Sequence, residues 1–125
     1  MSNNPPLDEA AFAKLYHLGG DSFVLEMLGL FFDYVPDLLE RARVGAEGGD
    51  LRAIEMATHS LKSSARGVGA TRLQEIATRI EKLAAQQERE ALPALLRELN
   101  EAYAEVKPHL ESRKEEIRKK LEANS

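Results

Sequence analysis

The stretch "LRAIEMATHSLKSSARGVGATRLQEIATRIEKLA", residues 51–84, decides the fold. On a helical wheel of ~100° per residue, Ile54, Ala57, Leu61, Ala65 and Val68 gather into one arc. After "GVGA", the residues Leu73, Ile76, Ala77, Ile80, Leu83 and Ala84 make a second seam at the same period. The spacing predicts a helix from Leu51 to about Arg66 with Asp50 as its cap. "GVGA" closes that helix. Thr71-Arg72-Leu73-Gln74 reads as a capping box, in which the threonine oxygen and the glutamine side chain satisfy free N–H groups of the next helix.

The same period extends outward on both sides. Residues 22–45 form the most apolar helix, with Val24, Met27, Phe31, Val35, Leu38 and Ala42 as its central stripe. Phe23, Leu25, Leu30 and Phe32 make that stripe broader than one packed face needs. Pro36 falls inside it, where a kink or an unpaired carbonyl is expected. "GAEGGD" is a loop. Before it, residues 7–18 suit a short helix with Ala11, Leu15 and Leu18 on one face. Gly19-Gly20 ends that helix, and Asp21 or Ser22 caps the next. Residues 1–6 read as a flexible lead-in. On the other side a helix begins near Ala91, with Pro93 tolerated in its first turn. Its seam is Leu92, Leu95, Leu96, Leu99, Tyr103, Val106 and Leu110. Pro108 interrupts it, and residues 111–125 read as a charged extension that protrudes and frays. No alternating β-branched run suggests a strand. The expectation is an all-α chain: an antiparallel up-down-up-down four-helix bundle over residues 7–110. A short N-terminal helix covers it, and an extended charged C-terminal helix leaves it.

Composition bounds the function. The 125 residues suit one domain. There is no cysteine, which excludes disulfides and thiolate metal sites. The net charge of −4 argues against a nucleic-acid partner. No apolar run approaches the ~20 residues of a membrane span, and "MSNNPPLDEA" lacks the pattern of a signal peptide. A cytoplasmic protein with no membrane partner is expected.

His59 carries the chemistry. It lies opposite the arc of Ile54, Leu61 and Ala65, so it faces solvent. Lys62 and Arg66 follow on the same side, one and two turns on. Met56, Ser60, Ser63 and Gly67 run along one flank, and all but Met56 are small. Glycine and paired serines cost helix propensity relative to alanine, which fits clearance for an approaching molecule as well as simple helix-end composition. A neutral imidazole offers one ring nitrogen as a nucleophile. Lys62 and Arg66 could stabilise a phosphoryl group arriving there. No glycine-rich phosphate loop follows a strand. No HExxH spacing exists, and His17 and His109 are remote, so no metal site is expected. The chain reads as able to hold a phosphoryl group but not to make one.

These residues resemble a family. "HSLKSSARGVGA", residues 59–70, is similar to the signature of histidine-containing phosphotransfer (HPt) domains: a histidine, then leucine-lysine, a glycine, small residues and a closing glycine-alanine. The apolar helix before the motif and "LQEIATRIEKLA" after it extend the likeness over most of the chain. The resemblance implies a phosphorelay intermediate with no kinase activity of its own. His59 would take a phosphoryl group from a receiver-domain aspartate and pass it to another, with Lys62 neutralising it. Implied partners are a response-regulator receiver domain and a hybrid sensor histidine kinase. No cofactor is implied here, since magnesium belongs to the receiver. Two positions depart from the pattern. Ser63 stands where glycine is usual after the lysine. Glu81 stands where some members have a glutamine that orients the histidine. A glutamate there could accept a hydrogen bond from the ring, but it would repel a phosphoryl group that came close, so its role stays open. The rival readings are an adaptor that binds a receiver or kinase without phosphotransfer, and an enzyme using His59 as a general base.

Overall fold

In a computed structural model describing residues 6–124, the chain forms four helices. They are α1 (Glu9–Glu47), α2 (Leu51–Val68), α3 (Thr71–Ala85) and α4 (Leu92–Ala123). No strand occurs among the described residues. α1 packs on α2 and α4, and α3 packs on the same two, so the helices form a four-sided bundle around one core. The all-α bundle matches the reading from periodicity. The expected lead-in, residues 1–6, lies outside the described residues except for Pro6. No helix among the described residues is long and apolar enough to cross a membrane.

The short covering helix and the long helix after it are joined into α1, with a break at Gly20. Gly20 takes φ 78° and ψ −166°, a conformation costly for any residue with a Cβ. Residues 9–19 are therefore a separate limb. Asp8 caps it, its Oδ1 accepting from the N–H groups of Ala10 and Ala11 at 3.0 and 3.3 Å. The limb buries Phe12 and Leu15. Leu18, expected on the buried face, is 76% exposed. Asp21, expected as a cap, instead pairs with Lys120 at 3.2 Å. Beyond the break, Val24, Leu28, Phe31, Val35, Leu38 and Ala42 face the core. Leu28 takes the central place given to Met27, which is half-buried. Pro36 sits within α1, where the backbone stays helical.

α2 starts as expected, with Asp50 Oδ1 accepting from Ala53 N–H at 3.0 Å. It runs to Val68, two residues past the expected end. Gly69 then terminates it at φ 78°. The capping box at Thr71 does not form. The turn between α2 and α3 is only Gly69 and Ala70, and Ala70 takes the cap position with no side-chain bond. Thr71 is already helical and turns its hydroxyl back toward Gly69 O at 3.4 Å.

α4 passes through Pro108 without ending. A proline inside a helix costs about 3 kcal/mol. The burial of Leu110 and of Ile117, which is 3% exposed, offsets that cost. The tail expected to protrude and fray is thus a continuation of α4 packed on the bundle.

Candidate functional site

His59 lies midway along α2, on its outer face, with its side chain 64% exposed. The core residues Ala57, Thr58 and Leu61 beside it point inward. Thr58 is the buried polar residue there, and its hydroxyl donates to Ile54 O at 2.8 Å. This arrangement leaves the imidazole reachable while the inner face of the same turns is packed into the core.

Glu81 of α3 reaches across to the ring. Its Oε2 lies 2.5 Å from His59 Nδ1, and its Oε1 accepts from Lys62 Nζ at 2.7 Å. Burial pushes the Glu81 carboxyl up, but the hydrogen bonds from Lys62 and His59 outweigh it and hold it below the ordinary carboxylate range. An ionised carboxylate can only accept, so Nδ1 carries the proton. A neutral imidazole held this way presents its lone pair on Nε2. Lys62 has three N–H donors and gives one to Glu81. Glu81 therefore accepts the hydrogen bond from the ring that the sequence allowed.

The remaining flagged residues divide into three places. Ser63 and Gly67 line an apolar groove of about 490 Å³ between α1 and α2, facing Leu15, Leu18, Phe23 and Leu30. A Cβ placed on Gly67 would meet nothing within 4 Å, so internal packing does not require glycine there. Ser60 and Met56 line a second groove, with Val44 and Gly45, toward the other end of α2. Met56 is 58% exposed. They also join Arg52, Glu55 and Glu81 in the notch around His59. Arg66 is exposed and forms no ion pair among the described residues. His59, Lys62 and Glu81 are thus brought into direct contact, and Arg66 is not.

Sequence reasoning missed Leu18 and Tyr34 as exposed walls of the Ser63 groove. Of the apolar residues flagged as surplus to α1's buried stripe, Phe23 and Leu30 line that groove. Phe32 turns to the opposite side, under the ammonium of Lys114 at 5.6 Å. The surplus width of the stripe was the available signal. It could not say which residues faced α2 and which α4.

Comparison with known proteins adds to this geometry. No curated protein matches the sequence. Among solved structures, the fold is similar to that of histidine-containing phosphotransfer protein B from Pseudomonas aeruginosa PAO1. The TM-score is 0.85 at 23% identity, covering 91% of this chain and 98% of that one. It is also similar to the histidine-containing phosphotransfer protein MtHPt2 from Medicago truncatula. There the TM-score is 0.77 at 22% identity, covering 96% of this chain and 84% of that one. At these identities the likeness speaks for the fold. The model of the Hpt domain matches residues 26–109, which span most of the long part of α1, all of α2 and α3, and α4 as far as His109. A bundle of this shape, matched by that model over most of its length, belongs to the Hpt domain family, the histidine phosphotransfer modules of phosphorelays.

Proposed function

We propose that the chain accepts a phosphoryl group on His59 Nε2 from the aspartyl phosphate of a receiver domain and passes it to the aspartate of another. The observation that carries this reading is the contact of His59 Nδ1 with Glu81, made by a ring that is otherwise exposed. In the forward step the Nε2 lone pair attacks phosphorus as the bond to the aspartyl oxygen breaks. The aspartate leaves as a carboxylate. The proton on Nδ1 stays in place, so the phosphorylated ring is cationic, and the Glu81 carboxylate stabilises it. Lys62, beside Glu81, turns its remaining donors to the phosphoryl oxygens. The return step reverses this order. A protonated ring is a good leaving group, which suits a carrier that must also give the phosphoryl group away. Magnesium acts on the receiver's side. A receiver that presents an aspartyl phosphate to His59 must lie over Ser63 and Gly67, one and two turns away on α2. Their small side chains leave that approach open, and the apolar groove beside them suits an apolar receiver surface.

The test is to mix the chain with isolated receiver domains phosphorylated by labelled acetyl phosphate. The expected result is an acid-labile, alkali-stable label on the wild type and none on His59→Gln, with equal helix content by circular dichroism. Binding to a receiver or kinase without any label would favour the adaptor reading instead.

A further inference from the structure

The limb of residues 9–19 is anchored at its far end to the turn between α2 and α3. Asp8 N–H donates to Gly69 O at 2.7 Å, and Phe12 is buried. Toward the break at Gly20 the limb supplies Leu15 and Leu18, one wall of the groove that holds Ser63 and Gly67. The last part of α4 lies along the limb. Arg113 pairs with Glu9, and its guanidinium sits 5.4 Å from the centre of the Phe12 ring. Lys120 pairs with Asp21 at 3.2 Å, directly after the break. Ile117, between these two cations, is buried, and Leu121 is half-buried. The spacing of 113, 117, 120 and 121 puts all four on one face of α4. Burial, with the charges of Asp21 and Glu116, pushes the Tyr16 phenol on the limb up, against a smaller opposing pull from Arg113.

We infer that residues 111–123 of α4 are a strap that fixes the covering limb and so sets the shape of the receiver-docking groove, with Arg113 and Lys120 as positioning residues. The inference rests on the phosphotransfer reading above. Exposed ion pairs add little to global stability. Here they act on a limb hinged at a glycine, where the process they oppose is local opening. A limb that swings away takes Leu15 and Leu18 with it and opens that end of the groove, leaving only Phe23, Leu30 and their neighbours opposite α2. The chemistry at His59 lies on α2 and α3 and does not involve the strap.

The double variant Arg113→Glu/Lys120→Glu tests this beside a quadruple variant that adds Glu9→Arg and Asp21→Lys to restore both pairs with the signs exchanged. Three quantities are read: amide hydrogen exchange in residues 9–19, the rate of labelling by phosphoramidate, and KM and kcat with a panel of receiver domains phosphorylated by acetyl phosphate. The double variant should raise limb exchange by roughly tenfold and receiver KM several-fold. Its kcat and its phosphoramidate rate should stay at wild-type values. The quadruple variant should recover both protection and KM. Unchanged limb exchange overturns the strap, as does faster exchange with unchanged KM, or no recovery in the quadruple variant. A wild type that takes no label from any receiver or from phosphoramidate would sink the phosphotransfer reading instead. Limb exchange needs no phosphodonor, so it still decides whether the strap exists.

Discussion

At the scale of single residues, the site turns on one carboxylate shared between a histidine and a lysine. Replacing Lys62 with alanine should slow transfer from a phosphorylated receiver while leaving the melting temperature close to wild type. A charge-assisted contact is worth about 1.5–3 kcal/mol, roughly tenfold to a hundredfold in rate. The Lys62 ion pair with Glu81 is partly buried, the two side chains being 21% and 19% exposed, but Glu81 keeps its hydrogen bond from His59, so the loss of stability should stay near the upper end of the ~0–1 kcal/mol of surface pairs. Equal rates for mutant and wild type would make Lys62 a solubilising charge only. Glu81 predicts a pH dependence whose sign follows from its depressed pKa. A carboxylate that holds its proton less readily in the folded chain contributes stability above its unfolded pKa. That contribution is lost as pH falls through the folded value. The stability of wild type relative to Glu81→Gln should therefore be constant near neutrality and decline in the acid range, below about pH 4.3. Thermal melts of both proteins at matched pH would show it, and parallel curves down to pH 3 would refute it. His59, Lys62 and the open flank were legible in the sequence because a helical wheel sorts faces within one helix. The Glu81 contact was legible only as something a glutamate at that spacing could make. It depends on how α3 sits across from α2, and no period within a single helix encodes that.

At the scale of elements, the turn between α2 and α3 fixes both the site and the limb. Gly69 holds φ 78°, and a Cβ there would come 2.8 Å from Asp8 O and 3.3 Å from the Ala11 Cβ. Gly69→Ala thus combines left-handed strain of about 1–2 kcal/mol with a clash against backbone. It should lower stability by at least that amount in chemical denaturation, and a neutral result would contradict the close packing of limb on turn. Ser63 offers the opposite case, since it is exposed and lines the groove. Ser63→Gln should hold or gain a few tenths of a kcal/mol in helix stability, yet accept phosphoryl groups poorly from a receiver. Its reaction with phosphoramidate should not change. Transfer from the receiver at the wild-type rate would place docking elsewhere. Element boundaries were legible where one residue controls them, as at Asp50. They were not legible where distant packing decides. Thr71 lost its cap role to a two-residue turn, and the seam read as interrupted at Pro108 continues, with Leu110 and Ile117 buried beyond it.

At the scale of the whole molecule, the bundle separates stability from chemistry within a single turn of α2. Leu61 is fully buried in the core, while His59, two residues earlier, is mostly exposed on the opposite face. The core joins all four helices, so a cavity at Leu61 weakens contacts throughout the bundle. Leu61→Ala should cost about 2–5 kcal/mol. His59→Gln changes a side chain that is 64% exposed, and its effect should stay within about 0.5 kcal/mol. The activities should rank in reverse. At a temperature where it remains folded, Leu61→Ala should still take label from phosphoramidate, because the contacts of Glu81 with His59 and Lys62 lie outside the core cluster. His59→Gln should take none at any temperature. Denaturant titrations and labelling of the two variants in parallel would measure both orders. A His59→Gln protein destabilised as much as Leu61→Ala would mean that the imidazole is part of the packing, and a carrier site on an outer face could not then be built around it.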